Sequence, residues 1–487
     1  MAYLIAIDQS TQSTKALLFD SQGRICLRVD RPHRQIIDER GYVEHDPEEI
    51  YQNLLALIPE LIQKTGMAPQ DIAAVSISNQ RETAVMWEKA TGKPVYNAVV
   101  WQCARGAVIC DGLAHHADTV QEKTGLKLSP YFSAAKLAWI LQHVPGVRDR
   151  AEKGEICCGT MDSYVVFRLT EGKEFRTDYS NASRTQLFNI HTLQWDEELL
   201  ALFGIPACCM AQLTDSDGLF GYTDFGGALP SPIPIHCAMG DSHAALFAQG
   251  CLNEGMLKVG YGTGSSIMMN IGEKPILSKL GIVTSLAWKL KGQVNYILEG
   301  NVNYSGAIVT WLKDQAGLLK NAAESQTLAE RANPQDKTYL VPAFSGLGAP
   351  YWRSDVSAAF IGMSRTTGRA ELVRAGLEAI AYQITDIVQL MQQEAHIPEI
   401  ELRVDGGPSR NGWLMQFQSD MLKSPVLVPE AEELSCVGVA YAAGMALGLY
   451  DDGIFENNRY FRYEPQMDET TRQEKHAGWK EAVRRIL

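Results

Sequence analysis

Gly240 and Asp241 stand where the apolar run 234–239 gives way to a small-residue helix, which places the Asp241 carboxylate at a strand end with little bulk around it. A carboxylate in that position can accept a proton from a substrate hydroxyl, and the same position also suits a helix N-cap. His243 reads as a helix-surface histidine with no carboxylate in view to orient it, which makes it a weak base. Thr11, Gln12 and Ser13 form a turn of small polar residues between two apolar runs. Such a turn can bring backbone N–H groups and hydroxyls against a phosphate chain. Asp8, at the end of the first run, could hold a hydrated metal ion beside that phosphate. The competing reading of residues 5–20 is an ordinary hairpin that opens a sheet.

Arg81 and Glu82 follow the apolar run 72–78 directly, at the carboxyl end of a buried strand, where open α/β sheets place ligands. A guanidinium beside a carboxylate offers donors and acceptors together, which suits the hydroxyls of a polyol or sugar. A solvated loop is the alternative. Trp101 ends another short apolar run and could lay its face against the C–H groups of a sugar or simply pack in the core. Tyr131 precedes a helix and could offer a phenol or serve packing alone. Asp405, Gly406 and Gly407 sit between a strand and a helix, where the backbone can approach a flat base or ribose; a tight turn explains them equally well. Gly306 likewise permits close approach of a ligand.

These groups need elements to carry them. Asp46 and Pro47 open a helix that stops near Gly66. Strands and helices then alternate, the signature of an α/β domain. Residues 253–270 repeat the opening design of strand, Gly/Thr/Ser turn and strand, with Thr263 at the tip as Thr11 is in the first hairpin. Two such hairpins, each opening a half with strand–helix alternation, imply an internal duplication with a nucleotide in the cleft between the halves. No P-loop and no protein-kinase motif set occurs. The 177–185 stretch is a polar loop whose chemistry stays open. Residues 370–391 read as a core helix. Ser435 reads as the cap of a helix over 437–447, in which Gly438 and Gly444 allow close packing. Residues from about 457 read as a peripheral tail or terminal helix.

At 487 residues the chain is too long for one core. Its 46% apolar and 21% charged residues suit a soluble enzyme. A net charge of −13 argues against a nucleic-acid surface. No apolar run approaches the ~20 residues that span a bilayer, and the N-terminus lacks export features. The ten cysteines form no C-x-x-C pair, so reduced, mostly buried thiols in a cytoplasm are expected.

The stretches at 7–14, 79–83, 130–136, 240–241, 261–264, 346–352 and 404–407 together resemble the FGGY carbohydrate kinases over residues 2–450. The resemblance implies an α/β protein of two duplicated actin-like ATPase (ribonuclease H-like) domains, 1–248 and 249–487, closing over ATP and a small polyol or sugar. Residues 1–248 would carry the polyol site and the catalytic Asp, and 249–487 most of the nucleotide site. By resemblance, Asp241 is the general base, and Arg81, Glu82, Trp101, Tyr131, Asp241 and Ser242 bind substrate. Thr11, Gln12, Ser13, Lys15, Thr263, Gly306, Thr310, Gly407 and Asn411 contact the nucleotide. Asp8 and Asp241 flank Mg2+ through water, and a homodimer or homotetramer is implied by analogy. Ser242, Cys103, Ser10, Gln12 and Lys15 depart from the family's usual residues. The implied reaction is ATP-dependent phosphorylation of a terminal hydroxyl, with glycerol first. A kinase for a four- or five-carbon polyol or ketose, such as erythritol, xylulose or ribulose, is an alternative. An ATP-dependent clamp that binds sugar without phosphorylating it is a second.

Overall fold

The computed structural model describes residues 2–353 and 355–487. Its first sheet is built from β1 (Tyr3–Gln9), β2 (Ser13–Phe19), β3 (Ile25–Pro32), β4 (Ile72–Asn79), β5 (Leu219–Thr223) and β6 (Ile233–Gly240). Their order is β5-β6-β4-β1-β2-β3. The three adjacent strands β6, β4 and β1 run parallel. Because helices cover both faces, β1 and β4 are buried almost end to end and read as continuous apolar runs rather than alternating ones. The register sets Gln9 and Gly240 level with Asn79, so the carboxyl ends of the three strands form one edge.

The second sheet repeats this plan. Its strands are β7 (Met256–Tyr261), β8 (Ser265–Asn270), β9 (Val283–Leu290), β10 (Gln293–Val302), β11 (Glu401–Asp405), β12 (Val426–Pro429) and β13 (Tyr460–Tyr463). They are ordered β9-β10-β8-β7-β11-β12-β13. β7 is antiparallel to β8 and parallel to β11, as β1 is to β2 and β4. The duplication inferred from the two hairpins is thus present in the pairing of both sheets.

The helices close the layers. α1 (Pro47–Thr65) is capped by Asp46, whose carboxylate accepts from the Glu48 N–H at 2.9 Å, and ends at Gly66 in the left-handed region. It buries Leu54, Ile58 and Leu61 on one face of the first sheet. α2 (Ser133–His143) packs in a satellite layer with Ala84, Met86 and Ile156. α3 (Asp241–Ala248) and α7 (Leu434–Ala446) lie together between the two sheets. There Leu246, Phe247, Val437 and Ala440 share one core with Leu4 and Phe19 of the first sheet and Met268 and Ile297 of the second. The two helices meet where Gly438 lies against the Ala244 carbonyl, and a Cβ at 438 would stand 1.9 Å from that oxygen. α4 (Gly306–Asp314), α5 (Arg369–Ala395) and α6 (Gly412–Leu422) complete the second half.

One expectation is corrected and one pair of alternatives is decided. α7 begins at Leu434, so Ser435 lies inside its first turn instead of capping it, and the Ser435 hydroxyl donates to the Asp241 backbone carbonyl at 3.2 Å. Of the two readings for the chain after 457, the terminal helix holds and the peripheral tail does not. This stretch supplies the edge strand β13 and α8 (Glu469–Arg484), whose Trp479 is fully buried. Trp479 and His476 both reach the buried Asp386 carboxylate at 2.8 Å. The charged outer face of α8 masked this anchoring stripe in the sequence. All ten cysteines are free thiols, eight of them buried. No helix among the described residues is long and apolar enough to cross a membrane.

Candidate active site

Asp241 is the first residue of α3, and Gly240 takes the N-cap place. The junction is tight because a Cβ on Gly240 would meet the Arg81 side chain at 2.7 Å. The Gly240 N–H donates to Ser180 Oγ at 3.0 Å, tying the strand end to the 177–185 segment. Asn79 and Asn181 exchange side-chain amide bonds at 2.8 and 2.9 Å and hold that segment to the end of β4. Asp241 accepts from the Ser242 N–H at 2.6 Å and keeps a third of its side chain exposed. The Ser242 hydroxyl makes no hydrogen bond among the described residues.

Arg81 Nε lies 3.4 Å from Asp241 Oδ1. Its two terminal nitrogens form a fork on Glu299 of β10, at 3.0 and 3.1 Å. Glu82 takes the left-handed conformation at φ 58°, a strained choice for a side chain of its size. Its carboxylate is fixed by Arg184 Nε at 2.6 Å. Arg184, in turn, lies 2.8 Å from Glu299. Burial acts against the Glu299 carboxylate, yet Arg184 and Arg81 hold its pKa down at about 2. Sequence reasoning missed Arg184 and Glu299. The polar 177–185 loop carried the signal for Arg184, whereas Glu299 is a single acid in an apolar strand. His243 is corrected from a surface residue to a fully buried one. Burial and the Arg81 charge hold its ring well below the usual histidine range, so it is neutral and behind the site.

Trp101 and Tyr131 meet edge to face with ring centroids 5.7 Å apart. The Trp101 indole N–H donates to Thr11 Oγ at 3.0 Å. The loop that carries Tyr131 is pinned from beneath by Lys136, a fully buried cation whose ammonium donates to the carbonyls of Pro130, Tyr131 and Phe132. Burial pushes the Tyr131 phenol up, so it stays protonated. Cys103, just past Trp101, is buried and accepts from Arg105 Nε at 3.1 Å.

At the first hairpin, Asp8 pairs in register with Lys15. The Lys15 ammonium lies 3.5 Å from Asp8 and 2.8 Å from Glu433, at the head of α7. Asp8 also accepts from Ser78 at 3.1 Å, and burial pushes its carboxyl up to about 6, with the Asp241 charge adding to the rise. Thr11 and Gln12 present their carbonyls to His33, and the Ser13 N–H turns back to the Ser10 hydroxyl.

On the second half, Ser305 and Ala307 N–H groups donate to the Thr263 carbonyl, and the Gly306 N–H donates to Gly262 at 2.9 Å. A Cβ on Gly306 would meet the Gly262 carbonyl at 2.6 Å and Pro408 at 3.4 Å, so the second hairpin, α4 and the 406–411 turn converge. Thr310 lies one turn into α4 and donates back to the Gly306 carbonyl at 3.2 Å. Asn411 caps α6 and reaches Ser325. Gly407 faces open space. The structure thus gathers Arg81, Asp241, Asp8, Lys15, Thr11, Trp101 and Tyr131 on the first half, and Thr263, Gly306, Thr310, Gly407 and Asn411 on the second.

The FGGY family of carbohydrate kinases, N-terminal domain, matches residues 3–248, and the C-terminal domain of the same family matches residues 257–447. The chain belongs to this family, and its fold is the paired actin-like, ribonuclease H-like α/β architecture. Glycerol kinase 1 of Thermotoga maritima is 49% identical over 490 residues, spanning 100% of this chain and 99% of that one. Glycerol kinase of Alkaliphilus oremlandii is 45% identical over 493 residues, spanning 100% and 97%. The crystal structure of Plasmodium falciparum glycerol kinase with ADP matches with a TM-score of 0.95 at 34% identity, covering 100% of this chain and 98% of that one. Xylulose kinase of Lactobacillus acidophilus matches at 0.88 with 21% identity over 100% and 98%, a likeness of fold alone.

Proposed function

We propose that this chain transfers the terminal phosphoryl group of ATP to a terminal hydroxyl of glycerol. The observation that carries this reading is the Asp241 carboxylate, part-exposed at a strand-to-helix junction with Arg81 at 3.4 Å. Full-length identity of 45–49% to glycerol kinases supports the choice of acceptor. Asp241 takes the proton of the attacking hydroxyl, and Arg81, Glu82 and Tyr131 hold the remaining hydroxyls while Trp101 walls the carbon chain. Residues 1–248 carry this acceptor site, and 249–487 carry most of the nucleotide site.

The second half fits a nucleotide because Gly407 leaves open space and Gly306 sits where no side chain fits. Thr11, Gln12, Ser13 and Lys15 meet the phosphates from the first half, and Thr263, Gly306, Thr310, Gly407 and Asn411 from the second. Asp8 at the end of β1 and Asp241 just past the end of β6 offer carboxylates at one sheet edge, oxygen donors of the kind a Mg2+ ion takes through water, with the Lys15 ammonium 3.5 Å from Asp8 as the cation already there. Such an ion neutralises charge on the transferring group. The free thiols accord with a cytoplasmic setting.

ADP release measured with glycerol, erythritol, xylulose and ribulose tests the proposal. Highest kcat/KM with glycerol is expected. Preference for a longer polyol or ketose would replace glycerol as the substrate, and ADP release without any phosphorylated product would refute the kinase reading.

A further inference from the structure

Glu299 belongs to the second half, yet its carboxylate makes its strongest contacts with the first. It projects from the same face of β10 as Ile297, which packs into the core shared by both sheets. Its side chain is fully buried. It receives the Arg81 fork at 3.0 and 3.1 Å, lies 2.8 Å from Arg184, and accepts from Ser266 of β8 at 3.3 Å. A two-point fork fixes the plane of a guanidinium as well as its position. With both terminal nitrogens so held, Arg81 Nε is the nitrogen that turns to Asp241, and one N–H on each terminal nitrogen stays free for a ligand. Through Arg184 the same carboxylate also reaches Glu82.

We infer that Glu299 is the positioning residue of the acceptor site: by holding Arg81 and Arg184 from the opposite half, it makes the grip on the polyol depend on the two halves being docked. Glu299 touches no reacting atom in this scheme. The inference rests on the polyol-kinase reading, because Arg81 and Glu82 must be the acceptor ligands for it to matter. Without the Glu299 charge, Arg81 would fall back on Asp241 and occupy the base.

The experiment compares wild-type protein with Glu299→Gln and Glu299→Asp, first establishing the preferred acceptor of the wild type from its ADP release. Failure of the wild type to phosphorylate any polyol would refute the functional reading itself. Given an active wild type, Glu299→Gln should raise the KM for the acceptor about tenfold or more, while the KM for ATP changes less than about twofold. Glu299→Asp, which keeps the charge, should recover part of that loss. A merely structural role would lower the active fraction and leave both KM values alone. Acceptor KM unchanged in Glu299→Gln, or equal rises in both KM values, would overturn the inference. Should Glu299→Gln fail to fold, Arg184→Lys is read by the same KM split with the same outcomes.

Discussion

The indole N–H of Trp101 donates to the hydroxyl of Thr11 at 3.0 Å, joining the aromatic wall proposed for the acceptor to the tip of the first hairpin. One hydrogen bond therefore links a residue assigned to the polyol with a residue assigned to phosphate. Trp101→Phe keeps an aromatic face and removes only this donor. A neutral hydrogen bond is worth about 1 kcal/mol net, or roughly fivefold. Steady-state kinetics should show the KM for glycerol and the KM for ATP both rising by about that factor. A rise confined to one substrate would mean that the two surfaces act independently.

Gly406 and Gly407 are neighbours with opposite demands. Gly406 has φ 89°, and a Cβ there would stand 1.9 Å from the Tyr261 carbonyl, whereas a Cβ on Gly407 would meet nothing within 4 Å. Gly406→Ala should destabilise the second half by about 2 kcal/mol or more, seen as a lower urea midpoint. Gly407→Ala should leave that midpoint within about 0.5 kcal/mol of wild type and weaken ATP binding, read by titration. Unaltered ATP affinity in Gly407→Ala would remove this residue from the nucleotide site.

Two fully buried histidines set an acid limit on stability, and the buried His33 is displaced the same way. His45 is fully buried beside His33, and burial, then the His33 charge, holds its pKa down at about 3. His243 is displaced in the same direction. Unfolded, each titrates near 6.5. Above that value neither contributes a pH dependence. As pH falls below it, the unfolded chain gains protons that the native state refuses, so stability is lost, by up to about 1.4 kcal/mol per pH unit for each ring. Urea midpoints between about pH 7.5 and pH 5 should fall for the wild type and fall less steeply for His45→Gln. An identical slope in the variant would contradict the assignment.

The sequence carried the two hairpins, the strand-to-helix junction at Asp241 and the small-residue turns, because each depends on local backbone needs that Gly, Ser and Thr advertise. Partnerships across the halves were not legible. Arg81 and Glu299 are bonded across a separation of 218 residues, and Lys15 and Glu433 across 418. A single acid in an apolar strand gives no local sign of its partner. The errors share that origin: His243 read as surface, and a peripheral tail stood beside the terminal helix as an alternative, because the burial of both is supplied by distant elements. Ser435 read as a cap because Ser favours that place, while its hydroxyl is taken by Asp241 of the facing helix.

The most direct test of the central claim is transfer by Asp241→Asn, followed as formation of phosphorylated glycerol alongside ATP binding. Loss of the base should reduce kcat by about a hundredfold or more while ATP affinity stays within about twofold of wild type. Turnover at the wild-type rate would contradict the assignment of Asp241 and, with it, the mechanism built on this site.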